Sequence, residues 1–117
     1  SIGDPTIFGN LPPPSGVQEE IARLLSEGKS NGYAHSMGVS SAREAVAASL
    51  SSPSHAVRAD DVAITSGCSH AIMMAMDAVC REGGSVLIPS PGFSLYRTLC
   101  AYLNLKCTLY PLDASRN

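Results

Sequence analysis

The sequence predicts an α/β fold, with a mostly parallel sheet flanked by helices and preceded by an extended amino-terminal arm and helices. Short apolar runs bounded by turn residues are the first reason. Val62-Ala63-Ile64-Thr65 and Ser85-Val86-Leu87-Ile88 have the length and branching of strands buried on both faces, and Lys106 to Tyr110 makes a weaker third run. Helical stretches, at about Ser69 to Glu82 and Phe93 to Leu103, separate these runs. Their alternation, strand and helix in turn, calls for a parallel layer with right-handed crossovers.

Taken in order, the chain opens on Pro5, Gly9, Pro12, Pro13 and Pro14, a stretch unfit for a helix or a central strand because proline lacks the N–H donor. An arm carrying Ile2, Ile7, Phe8 and Leu11 must lie on something to be ordered. Ser15-Gly16-Val17-Gln18 has the capping-box pattern. Behind it Val17, Ile21, Leu24 and Leu25 repeat at helical spacing, and Glu19 is placed to pair with Arg23. The helix is expected over Gly16 to Glu27, with Gly28 as its left-handed stop. A second capping box, Ser41-Ala42-Arg43-Glu44, opens a helix that ends before Pro53. The helix after Thr65 is apolar almost all round, from Ala71 to Cys80, and is expected to be buried with its methionines as core filling. Two domains follow: 1–52, the arm and helical region, and 53–117, an α/β layer.

Composition narrows the function. The 117 residues are 44% apolar and 15% charged with a formal charge of −2, which describes an ordered globular chain. Without a basic patch, nucleic acid is excluded as a partner. The longest apolar stretch falls far short of the ~20 residues that a bilayer span requires, and Ser1 to Asn10 has no secretory pattern, so no membrane partner and a cytoplasmic location are expected. Cys68, Cys80, Cys100 and Cys107 show no paired spacing and read as reduced thiols. His35, His55 and His70 are too scattered to build a zinc site with them, and no metal is expected.

Ligands of an open parallel sheet gather outside the carboxyl ends of its strands. One loop expected there, Thr65-Ser66-Gly67-Cys68-Ser69, joins a strand to an apolar helix, and its N–H groups at the positive end of the helix dipole suit an anion such as phosphate. Ser66 or Ser69 simply capping the helix fits the same residues. Gly28-Lys29-Ser30 mimics the end of a nucleotide-triphosphate loop, but Arg23 stands where its first glycine belongs and a helix precedes it. A second loop, Pro89-Ser90-Pro91-Gly92-Phe93, ends on an aromatic ring at the mouth of a helix. That ring either offers a stacking face to a flat phosphorylated ligand or packs into the core.

Five phrases occur in the order and approximate spacing of pyridoxal-phosphate-dependent aminotransferases of class I, fold type I. They are Ile2-Gly3-Asp4-Pro5, Asn31-Gly32-Tyr33, Ser41-Ala42-Arg43-Glu44-Ala45, Thr65 to Ala71, and Pro89 to Tyr96. The chain resembles the amino-terminal part of such an enzyme, nearest to the branch that transaminates tyrosine. The resemblance implies that 53–117 is part of the cofactor-binding large domain of a homodimer. It implies that main-chain N–H groups around Gly67, Cys68 and Ser69 hold the phosphate of pyridoxal 5'-phosphate, and that Phe93 stacks on the pyridine ring. Tyr33 would give its hydroxyl to the phosphate in the neighbouring subunit, and Gly3 would line the pocket for the substrate's α-carboxylate. On the residues alone, Tyr33 is equally an ordinary surface or packing tyrosine. His35 stands where the family often has proline, which loosens the loop after Tyr33; His70, beside the phosphate loop, is left a supporting role.

The implied reaction moves the amino group of tyrosine or a related aromatic amino acid to a 2-oxo acid. It needs a lysine that forms an imine with the cofactor and shuttles the α-proton. Only Lys29 and Lys106 occur, the first in the loop after a helix and the second opening a strand at the sheet edge away from the ligand side. No residue of this segment is therefore assigned a catalytic role. The segment alone is expected to be inactive, and to aggregate or stay molten. Rival readings are an aminotransferase of another amino acid such as alanine, a non-catalytic α/β module binding a phosphorylated small molecule, and an interaction fragment whose arm docks on a partner.

Overall fold

The structure, a computed structural model, describes residues 3–113 and residue 115. Ser1 and Ile2 of the expected arm, and Ala114, Arg116 and Asn117 at the far end of the expected second domain, lie outside the described residues. The chain forms two compact units divided between Ser36 and Met37.

In the first unit, residues 3–11 make a succession of turns and bends where an extended run was expected. Asp4 causes the first of them: its carboxylate accepts from the Thr6 N–H at 2.8 Å and the Thr6 hydroxyl at 2.6 Å, closing a local Asx turn. Helix α1 spans Ser15–Ser26 and starts directly after the proline run, with Pro14 as its N-cap and no side-chain cap. The expected Ser15–Gln18 box is therefore not formed: Ser15 is already helical, one residue too late to cap. Arg23 turns to Glu20 at 2.6 Å and to Glu27, not to Glu19. Gly28, at φ +66°, stops the helix as expected. Every described residue of this unit is exposed, the apolar stripe of α1 included.

The second unit begins with α2, Ser40–Leu50, whose N-cap is Val39. Its expected capping box also fails, because the helix starts two residues early, and the Ser40 hydroxyl donates to the Glu44 carboxylate at 3.1 Å instead of to the backbone. Arg43 ties α2 to the 3₁₀ turn Ala59–Asp61: its guanidinium donates to the Ala59 carbonyl at 2.9 Å and the Gly38 carbonyl at 3.2 Å. This packing crosses the expected boundary at residue 52.

Residues 62–65 are not a strand. Val62 is extended and buried, and the Ile64 N–H donates to the Met37 carbonyl at 2.9 Å, but no ladder forms on this segment. Among the described residues the sheet has two strands, β1 Ser85–Ser90 and β2 Lys106–Pro111, in parallel register from Ser85 opposite Lys106 to Ser90 opposite Pro111. Around it lie α3, Cys68–Val79, and α4, Leu95–Tyr102. This helix, strand, helix, parallel-strand order is the expected α/β arrangement.

The core is Met76, Ile88, Leu99, Cys100 and Leu105, with Ile72, Cys80, Val86, Leu95, Tyr96 and Leu103 packed around it. It fills the space between α3, α4 and one face of β1. The period-two alternation of a strand decides which residues enter: Ile88 is 2% exposed, whereas Leu87, on the opposite face, is 70% exposed. Burial of β1 on both faces was expected and is corrected, because nothing among the described residues covers the Leu87 side. For the same reason α3 is not buried all round; Met73, Met74 and Val79 are exposed and Met76 alone of the helix is fully enclosed. No described helix is long and apolar enough to cross a membrane.

Candidate functional site

The turn that launches α3 is built from Gly67. At φ +83° and ψ 171° it occupies a region of backbone space that is essentially glycine's own. A Cβ placed there would meet no atom within 4 Å, so the demand for glycine is conformational and the space before the turn is open. Thr65 braces the turn: its hydroxyl donates to the Gly67 carbonyl at 3.0 Å, and its own carbonyl accepts from the Gly67 N–H at 2.9 Å. His70 closes it from the other side, Nδ1 accepting the Ser66 N–H at 3.2 Å.

What this leaves over is a row of donors. The first amides of any helix lack intrahelical acceptors, and no side chain caps α3. Among the described residues, the N–H groups of Cys68, Ser69 and His70 meet no acceptor, while that of Ala71 returns to the Gly67 carbonyl at 3.2 Å. Three adjacent amides, the positive end of a helix dipole and an open approach suit an anion with several oxygens. The alternative in which Ser66 or Ser69 caps this helix is not what forms.

Phe93 lies in the second expected loop, just before Ser94, the N-cap of α4, and is 55% exposed. It is therefore not a core residue. Its ring meets that of Tyr96 edge to face, with centroids 6.0 Å apart and planes at 87°. Gly92, beside it, has no room for a side chain, since a Cβ would collide with the Pro89 carbonyl oxygen.

The structure thus gathers Gly67, Cys68 and Ser69 into one turn and sets Phe93 at the start of another helix of the same unit. Tyr33 and Gly3 belong to the first unit, where both are exposed, Tyr33 fully so in the loop between α1 and α2. Tyr96 received no role from the sequence. Its signal was the three-residue spacing from Phe93, which brings side chains together on a helical turn.

All four cysteines are free: Cys68 and Cys107 exposed, Cys80 intermediate, Cys100 buried. Burial pushes the Cys100 thiol up, and the neighbouring Cys107 thiol adds to the shift. Among the described residues no group of three His, Cys, Asp or Glu side chains comes together as a metal ligand set.

Comparison with known proteins places this geometry in context. A family model described as aminotransferase class I and II matches residues 1–117. The chain is 47% identical over 112 residues to a tyrosine aminotransferase of Mus musculus and 45% identical over 112 residues to that of Homo sapiens, covering 96% of this chain and 25% of each relative. The crystal structure of a tyrosine aminotransferase from Leishmania infantum superposes with a TM-score of 0.91 at 37% identity, over 99% of this chain and 30% of that one. The chain thus spans about a quarter of the length of the curated relatives it matches.

Proposed function

This chain belongs to the class I and II aminotransferase family, and from that premise we propose that the whole protein transfers the amino group of tyrosine or a related aromatic amino acid to a 2-oxo acid, with pyridoxal 5'-phosphate as cofactor. The observation that carries the reading is the row of open amides at Cys68, Ser69 and His70 behind the glycine-only turn at Gly67. Those residues fit a phosphate group: they offer donors and helix-dipole charge, with no side chain in the way. When bound, the cofactor supplies an electron sink that makes the substrate's α-proton labile.

In this reading the Gly67 turn, its own N–H held by the Thr65 carbonyl, presents the amides of Cys68 and Ser69 to the phosphate, and Phe93 lays its ring on the pyridine. Phe93 supports this by standing half out of the core, with a face to offer. Tyr33 gives its hydroxyl to the phosphate bound by the neighbouring subunit of a homodimer, and its complete exposure leaves it available for such a contact. Gly3 lines the substrate carboxylate pocket. Lys29 and Lys106 are the only lysines of the 117 residues. Lys29 lies in the loop after α1, ion-paired with Glu27 at 3.5 Å, and Lys106 opens β2 opposite Ser85, at the strand's amino end; in this reading the covalent lysine belongs to the part of the protein beyond this segment. The segment by itself is then inactive. The division into 1–52 and 53–117, the latter part of the cofactor-binding domain, and a cytoplasmic location belong to the same proposal.

The test uses the whole protein freed of cofactor and titrated with pyridoxal phosphate. Gly67→Val is expected to weaken binding at least about tenfold, through the loss of one or more charge-assisted hydrogen bonds. Unchanged affinity would show that the cradle is not where the phosphate sits. Assays with tyrosine and with alanine then decide the substrate, and turnover of alanine alone would overturn the aromatic assignment.

A further inference from the structure

We propose that Tyr96 is the positioning residue for Phe93, holding its ring at the angle from which it meets the cofactor; the inference rests on the stacking role proposed above. A ring that is 55% exposed on a loop has little of its own to fix it. Tyr96 is different: it is partly buried and packs against the core cluster of Met76, Ile88, Leu99, Cys100 and Leu105. It is therefore a fixed body, and Phe93 leans on it edge to face at 6.0 Å and 87°.

The backbone supports the same geometry. Gly92 lets the chain double back onto Pro89, where any side chain would collide. The Tyr96 N–H then donates to the Phe93 carbonyl at 3.4 Å, so the two residues share the opening turn of α4. A perpendicular pair engages at most one face of Phe93, whichever ring contributes the edge, and the other face stays free for a ligand. The order of support runs from core to Tyr96 to Phe93 to bound ring.

The Tyr96 hydroxyl has no part in this, which gives a selective test. In the whole protein, the dissociation constant for pyridoxal phosphate and the visible circular dichroism of the bound cofactor are measured for Tyr96→Phe, Tyr96→Leu, Phe93→Leu and the double variant Phe93→Leu/Tyr96→Leu. Tyr96→Phe is expected to match the parent in both readouts. Tyr96→Leu should weaken binding about fivefold, the size of a lost aromatic pair, and should change the dichroism. In the Phe93→Leu background the same Tyr96→Leu change should add nothing, because a residue that acts only through Phe93 has no effect once that ring is gone.

An equal loss in both backgrounds would reduce Tyr96 to a packing residue and overturn the inference. Parent-like behaviour of Tyr96→Leu beside a weakened Phe93→Leu would overturn it while leaving the stacking role intact. Parent-like Phe93→Leu would instead remove the stacking role itself. If Tyr96→Leu does not fold, Tyr96→Met, which keeps the bulk in the core but has no ring, carries the same expectations.

Discussion

The main-chain N–H of Ser66 donates to Nδ1 of His70 at 3.2 Å, so a side chain on the first turn of α3 reaches back to hold the residue before the Gly67 turn. With Nδ1 accepting, the ring's proton is on Nε2. His70 thus does for Ser66 what the third helical residue does in a capping box. Replacing it by alanine removes the acceptor and is expected to cost about 1 kcal/mol, the size of a lost cap. Glutamine, whose amide oxygen can take the same N–H, should restore most of it. Urea unfolding of the whole protein without cofactor measures both, and an alanine variant as stable as the glutamine one would show the contact to be idle.

Gly38 and Gly67 both sit at positive φ, +99° and +83°, yet they differ in what surrounds them. A Cβ on Gly67 meets open space, whereas on Gly38 it would lie 2.7 Å from both Cβ and Cγ1 of Ile64. The Ile64 N–H is itself tied to the neighbouring Met37 carbonyl at 2.9 Å, so the two segments cannot easily part. Gly67→Ala should cost only backbone strain, about 1–3 kcal/mol. Gly38→Ala should exceed it by a further 1–3 kcal/mol or so from overpacking. Equal losses in denaturant midpoint would contradict the close approach of these segments.

Local pattern was legible in the sequence, and what depends on distant partners was not. The helical repeats, the stop at Gly28 and the runs that became β1 and β2 were read from neighbours a few residues apart, where spacing alone determines which side chains meet. Val62 to Thr65 has the composition of a strand, but a strand exists only by its ladder, and no partner for this one lies among the described residues. Burial of α3 and of both faces of β1 failed similarly, since an apolar face says that something should cover it and not what does. Capping failed for a finer reason: each helix starts one or two residues from where its serine box requires, and a cap has no tolerance for that slip. At the candidate site the glycine turn was visible and its brace by His70 only hinted at. Tyr96 was passed over because its effect is on another side chain.

Asp61 accepts the Arg58 N–H at 3.0 Å at the 3₁₀ turn, and that backbone bond, then the Arg58 side chain, hold its carboxyl below the usual range. A carboxyl whose folded value is depressed binds its proton less readily folded than unfolded. Its contribution is therefore present above the unfolded value, near pH 4, and lost as pH falls through the lower folded one. Being exposed, it makes a small contribution. Asp61→Asn should lose that small contribution above pH 5, converge with the parent in acid and so flatten the decline below about pH 4. Parallel acid limbs for parent and variant, followed by urea midpoint against pH, would show the Arg58 bond to be absent in solution.

The cysteines offer a readout of core and candidate cradle in one experiment. Thiols react as thiolates, so access and ease of ionisation act together. Cys100 is 1% exposed, and its thiol is pushed up first by burial and then by Cys107, which makes it poor on both counts. Cys68, exposed on the first turn of α3, sits where the proposed phosphate would lie. Iodoacetamide labelling of the whole protein, followed by peptide mass analysis, should modify Cys68 in the cofactor-free form and spare it after saturation with pyridoxal phosphate. Cys100 should stay unmodified in both forms and react only on unfolding. Rapid labelling of Cys100 in the folded protein would mean that the core between α3, α4 and β1 opens readily. If Cys68 reacted at the same rate with and without cofactor, the phosphate would have to be bound away from the α3 turn, even with the core intact.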